Sequence, residues 1–150
     1  MTPEETAQET AQETARRSAA AMWADDRASR SLGMSLDAVG PGTATVSMTL
    51  TDDMVNGHAI GHGGLTFTLA DSAFAFACNS YDRRTVAAGA EIRFRAPTHL
   101  GDVLTATATE RSREGRSGVY DVEVTGTGPT GATVVATFVG HSREIGGSFA

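Results

Sequence analysis

Apolar positions along this chain recur in three distinct ways, and each predicts a different element. From Thr43 to Leu50, small hydroxyl residues alternate with apolar ones, the two-residue repeat of a half-buried strand. The alternation returns at 86–94 (Val86, Ala88, Ala90, Ile92, Phe94), at 104–108, at 119–124 (Tyr120, Val122, Val124) and at 134–138. Gly115 and Gly118 punctuate one intervening turn, and Gly126, Gly128 and Gly131 the next. Three strands joined by short connections predict an antiparallel meander. A different pattern lies between the first and second strands. Leu65 to Cys78 reads LTFTLADSAFAFAC, apolar on nearly every side, which predicts a buried helix. Ahead of it, NGHAIGHGG (56–64) is a glycine-punctuated loop. The order strand, loop, helix, four strands predicts an α+β domain whose antiparallel sheet curls around one central helix. One sheet layer cannot cover every face of that helix, so a second copy is expected against it, a homodimer at least.

The third pattern is the four-residue repeat TAQETAQETA at 6–15. Ala, Gln and Glu favour helix, yet the repeat offers only Ala7, Ala11 and Ala15 for burial. It reads as a solvated helical extension, assigned to residues 1–20, ahead of a main domain at 21–150. Helix continues through Ala19, Met22 and Trp23 and stops before Gly33. A chain of 150 residues is the size of one domain. Twelve Arg and no Lys stand against eighteen Asp plus Glu, for a net charge of −6. Four of the negative charges (Glu4, Glu5, Glu9, Glu13) fall in the first fifteen residues and leave about −2 on the remainder. No basic block could neutralise a phosphate backbone, which argues against nucleic acid as a partner. No stretch approaches the roughly 20 apolar residues of a membrane span, and the acidic start is unlike a secretory signal, so a cytoplasmic protein is expected. The single cysteine, Cys78, excludes an internal disulfide and a multi-thiolate zinc site.

Asp71 is the only ionisable side chain between Leu65 and Cys78. A carboxylate in so apolar a segment costs several kcal/mol unless paired or hydrogen-bonded. It is either a structural acid satisfied by a backbone group or an Arg, or a general base or nucleophile lining a cleft. His62-Gly63-Gly64 opens the helix, where glycines admit a ligand to the free N–H groups of the first turn. Such a terminus stabilises the oxyanion formed when an acyl carbonyl is attacked. Upstream, Asn56-Gly57-His58 supplies an amide that can donate to a carbonyl or hold the loop. His58 and His62 stand four apart, but the glycines around them predict loop, and no third metal ligand has a suggestive spacing. Gly126-Thr-Gly128-Pro-Thr-Gly131 fits a dinucleotide fingerprint, yet a strand follows it where a helix is required. Cys78 has no charged neighbour in sequence and reads as core, and His99 and His141 carry no signal of their own. Gly63 and Asp71 are eight residues apart, about 12 Å along a helix. A carbonyl held at the helix N-terminus therefore meets Asp71 of a neighbouring antiparallel copy, and the chemistry needs a dimer.

Taken together, NGH (56–58), HGG (62–64), LADSAFAFACNS (69–80), GDVLTATA (101–108), GVYDVEV (118–124) and HSREIGG (141–147) resemble the PaaI-like branch of the hotdog-fold acyl-CoA thioesterases. The resemblance covers the chain from about Trp23 onward and has no counterpart for the repeat. It implies a hotdog fold and hydrolysis of phenylacetyl-CoA, or its ring-hydroxylated forms, without metal or cofactor, by a homodimer or homotetramer. It also implies that Asp71 is the catalytic carboxylate and that the Gly63 N–H contacts the thioester oxygen with His62 beside it. Asn56 would orient the thioester group, with Gly64 and His58 on the substrate. Many relatives place a Ser or Thr early in the strand after the helix to hold the attacking water, whereas this chain has Ala87-Ala88-Gly89-Ala90. Two other functions compete. A hotdog 3-hydroxyacyl-thioester dehydratase needs an acid–base pair where the helix shows one carboxylate. A non-catalytic acyl-CoA-binding module gains nothing from an acid facing an anionic ligand.

Overall fold

The computed structural model describes residues 1–149, with the side chains of residues 8 and 9 left aside; residue 150, the last of the expected main domain, lies outside the described residues. Among the described residues, helices α1 (Pro3–Asp25) and α2 (Arg27–Ser31) precede strands β1 (Ser35–Gly40) and β2 (Thr43–Thr49). A single 3-10 turn (Asp52–Met54) leads to helix α3 (Gly63–Cys78), followed by β3 (Thr85–Phe94), β4 (Val103–Glu114), β5 (Ser117–Gly128) and β6 (Gly131–Glu144). The strands form one antiparallel sheet in the order β1-β2-β4-β5-β6-β3.

The sheet curls around α3 because its inward rows pair small residues with large ones. Ala44, Val46 and Met48 of β2, Leu104, Ala106 and Ala108 of β4, Tyr120, Val122 and Val124 of β5, and Ala136 and Phe138 of β6 are all buried. They receive Leu69, Ala70, Ala73, Phe74 and Ala77 of α3. The Phe74 ring lies 5.6 Å from that of Tyr120 and 5.9 Å from that of Phe138, within the range of favourable tilted aromatic pairs. Gly140 of β6 makes room for it, since a Cβ there would sit 2.7–2.8 Å from three Phe74 ring atoms.

The structure adds one element that the sequence reading lacks. An additional strand, β1, precedes the first expected one; its alternation is interrupted by a bulge between Leu36 and Ala38, so Asp37 breaks the two-residue period. The sheet covers one side of the apolar helix α3 and leaves another face open, as a single sheet layer must. Gly64, Thr68, Asp71 and Ala75, spaced four, three and four apart, form a stripe that the sheet leaves exposed or half-exposed. Beside it runs β3, an edge strand paired only with β6 and exposed along nearly its whole length. The anticipated boundary at residue 20 falls inside the unbroken α1, whose Ala15, Ser18 and Ala19 are already buried.

The repeat has a local rationale. Thr2 and Glu5 form a capping box with Pro3 at the first helical position. A period of four then stacks Thr6, Thr10 and Thr14, whose hydroxyls donate to the carbonyls of Thr2, Thr6 and Thr10 at 3.1, 2.9 and 2.9 Å. Gln12 fastens the helix to the sheet by donating from Nε2 to the Val39 carbonyl at 2.8 Å. No described helix is long and apolar enough to cross a membrane.

Candidate active site

The loop before α3 is built by its own backbone. Asn56 N–H donates to the Ile60 carbonyl at 2.8 Å and Ala59 N–H to the Asn56 carbonyl at 3.1 Å, with Ala59 in the left-handed region at φ 61°. Gly61 N–H donates to the Thr98 carbonyl at 2.9 Å, and His62 N–H to the Met54 carbonyl at 2.8 Å. Gly61 lies so close to Thr98 that a Cβ would fall 2.0 Å from its Oγ1. Only glycine fits there, a requirement the sequence alone did not reveal.

Within this loop the Asn56 side chain has a fixed orientation. Its Oδ1 accepts the N–H groups of His58 (2.9 Å) and Ile60 (3.4 Å). The amide nitrogen, with its two donors, is thereby left for the cleft that Asn56 lines. His62 is the N-cap of α3, its Nδ1 accepting the Gly64 N–H at 2.9 Å. That bond occupies Gly64 and leaves Gly63, the first helical residue, with an N–H that finds no acceptor among the described residues. His58 and His62 are both exposed.

Asn56 and Gly63 thus converge on a cleft of about 460 Å³, closed by Thr66, Phe94, Thr98 and Val135. Phe94 and Thr98 come from the end of β3 and the chain after it, and no local motif marked them. The cleft holds donors and no carboxylate, which suits a carbonyl oxygen gaining charge.

Asp71 does not line this cleft in the same chain. It sits two turns along α3 in the uncovered stripe, about 12 Å from Gly63 by helical rise. No hydrogen bond or ion pair engages its carboxyl among the described residues, and desolvation raises its pKa above the ordinary 3.8. An unpaired, desolvated carboxylate is a better base than a solvated one. The backbone group or Arg expected to satisfy a structural Asp is absent among the described residues. Ser72, next along, faces elsewhere: Ser29 Oγ donates to Asp26 Oδ2 at 2.7 Å and meets Ser72 Oγ at 2.8 Å, tying α2 to α3. Cys78 is buried, and its thiol is pushed up to about 12 by burial and, to a lesser degree, by the Asp71 charge. It is no nucleophile.

Residues 58–132 match the thioesterase superfamily. The acyl-coenzyme A thioesterase PaaI of Escherichia coli K12 is 43% identical over 131 residues, 87% of this chain and 91% of that protein. The solved structure of E. coli PaaI, described as coming from the phenylacetic acid degradation operon, superposes with a TM-score of 0.87 at 42% identity, covering 91% of this chain and 97% of that one. A point mutant of the phenylacetic acid degradation protein PaaI from Thermus thermophilus superposes with a TM-score of 0.75 at 32% identity, covering 80% and 100% of the two chains.

Proposed function

Since this chain belongs to the thioesterase superfamily and is a thioester hydrolase of hotdog fold, we propose that it hydrolyses phenylacetyl-CoA, or a ring-hydroxylated form, to the free acid and CoA. The observation that carries the mechanism is the division of α3 into two half-sites. At one end, the unengaged Gly63 N–H and the Asn56 amide point donors at a shared cleft. Two turns on, an unpaired carboxyl stands on an uncovered stripe.

A second copy laid antiparallel on that stripe and on the free edge of β3 brings Asp71 of one subunit to the Gly63 end of the other. The enzyme is then a homodimer, paired further into a tetramer, with two sites across each dimer interface. In each site the Gly63 N–H and Asn56 Nδ2 polarise the thioester carbonyl, while Asp71 acts as general base on water. His62 keeps the first turn of α3 open at Gly63 by capping Gly64. Gly64 and His58 flank the entering substrate. The acyl preference rests on the phenylacetic acid degradation operon from which the E. coli relative comes. The same reading places the enzyme in the cytoplasm with its CoA-linked substrate and gives it no membrane or nucleic-acid partner.

Mixing the protein with phenylacetyl-CoA and a thiol reagent tests this. Release of CoA, faster for arylacetyl than for aliphatic esters in a panel, is the expected result. Tight binding without thiol release would overturn hydrolysis of this substrate, and hydration of crotonyl-CoA would point to the dehydratase instead. A single turnover in oxygen-18 water distinguishes the roles of Asp71: label in the product acid marks direct attack by water, whereas label left in Asp71 marks an anhydride.

A further inference from the structure

We infer that Thr68 is the positioning residue that holds the attacking water beside Asp71, an assignment that rests on the reading of Asp71 as general base. A base that takes one proton from water leaves the second O–H undirected, and attack is fast only when the oxygen is held in line with the carbonyl. The β3 segment alongside α3 supplies no hydroxyl, being Ala87-Ala88-Gly89-Ala90. Thr68 does. It lies one turn before Asp71 on the same uncovered stripe, and residues three apart on a helix have Cβ atoms about 5–6 Å apart.

The direction of its proton is fixed. Thr68 Oγ1 donates to the Gly64 carbonyl at 2.8 Å, so what it offers the uncovered stripe is lone pairs. An ionised Asp71 is likewise an acceptor only. Two acceptors one turn apart match the two O–H bonds of a single water. Ser72 cannot serve, because its hydroxyl lies off the stripe, 2.8 Å from Ser29 Oγ of α2. Both acceptors belong to one chain, so the match does not depend on how the partner is placed.

In the step itself, the water oxygen bonds to the thioester carbon and gives one proton to the Asp71 carboxylate. Its second O–H stays directed at Thr68 Oγ1. The carbon–sulfur bond then breaks, Asp71 returns its proton to the CoA sulfur, and the remaining proton leaves with the carboxylic acid.

Methanol provides the test, because its one O–H goes to Asp71 and it needs no second acceptor. Thr68→Val, which keeps the side-chain shape, should lower kcat for hydrolysis by about 10- to 100-fold with little change in KM. In aqueous methanol it should raise the ratio of methyl ester to acid by a similar factor, and Thr68→Ser should restore both values. The product ratio does not depend on how much enzyme is folded, and Thr68→Ala, which also lacks the acceptor, is read the same way. A ratio unchanged in both Thr68→Val and Thr68→Ala would overturn the assignment. Asp71→Asn, assayed alongside, keeps the two ideas apart. An active Asp71→Asn enzyme sinks the base itself, whereas an inactive one beside a fully active Thr68→Val enzyme sinks only the role of Thr68.

Discussion

Gly63 and Phe94 approach so closely that a Cβ on residue 63 would lie 2.9 Å from the tip of the Phe94 ring. The ring belongs to the free edge strand and is 58% exposed, so it can swing aside. Gly63→Ala should therefore fold, since residue 63 is not in the left-handed region. Its methyl group intrudes on the cleft that Gly63 and Phe94 line. The expected loss in kcat/KM is on the order of 10²-fold, the usual worth of an oxyanion donor, with a melting temperature close to wild type.

Gly140→Ala should behave oppositely. Its added Cβ meets three Phe74 ring atoms at 2.7–2.8 Å, and Phe74 is fully buried against Tyr120 and Phe138. Overpacking of this kind costs about 1–3 kcal/mol. Urea unfolding should show that loss, while activity per folded molecule changes little.

Asp71→Asn preserves shape but removes charge and basicity. If Asp71 is the base, kcat should fall by about 10²–10⁴-fold, with substrate affinity held or improved because an anion no longer faces the anionic ester. Stopped-flow thiol release and a binding titration on one preparation measure both.

The raised pKa of Asp71 sets two pH dependences. If Asp71 is the base, activity needs the carboxylate, and kcat/KM should rise with pH through a value above the ordinary 3.8. Stability runs the other way. The folded state holds this proton more tightly than the unfolded chain, so stability falls as pH rises from the ordinary to the raised value and the cost persists above it. Asp71→Asn should therefore melt above wild type at neutral pH, and the difference should close below the ordinary value. A difference independent of pH would show that the desolvated charge is not its source.

Ser18 is fully buried in α1, and its hydroxyl has no hydrogen-bond partner among the described residues. Ser18→Ala removes an unsatisfied polar group and adds helix propensity, and should stabilise by about 1 kcal/mol. Calorimetry would reveal it as a raised Tm. Truncation of α1 should show a sharp threshold instead. Removing residues 1–10 leaves the Gln12 bond to Val39 and the buried Ala15 in place, with turnover unchanged, whereas removing residues 1–19 uncovers β1 and should lower the Tm by several degrees.

The sequence made the candidate residues of α3 legible because their signals are local. A lone acid in an apolar run and a His-Gly-Gly before a helix need no knowledge of what packs nearby. The meander β4-β5-β6 was legible for the same reason, its alternation being unbroken over 104–108 and 119–124 and its turns glycine-rich. β1 was not, because a bulge at Asp37 breaks its period within six residues. Phe94, Thr98 and the glycine requirement at residue 61 were hidden for a different reason. Each acquires its role from a contact made across more than thirty residues of chain, and periodicity carries no information about such meetings. The uncovered stripe of α3 combined both effects: small and half-polar residues there look apolar in sequence, and only the curvature of the sheet decides which side it leaves open.

The buried thiol of Cys78, held protonated up to about pH 12, makes this a chemically quiet host for reactive acyl groups. Acyl thioesters exchange readily with thiolates and acylate free amines. The side chains of this chain include no lysine amine, and its single thiol stays out of reach as the neutral acid. Substrate held at high local concentration therefore meets neither a lysine amine nor an ionised thiol. The same silence serves the bench: a thiol reagent added to the folded enzyme reads released CoA against almost no background from the protein.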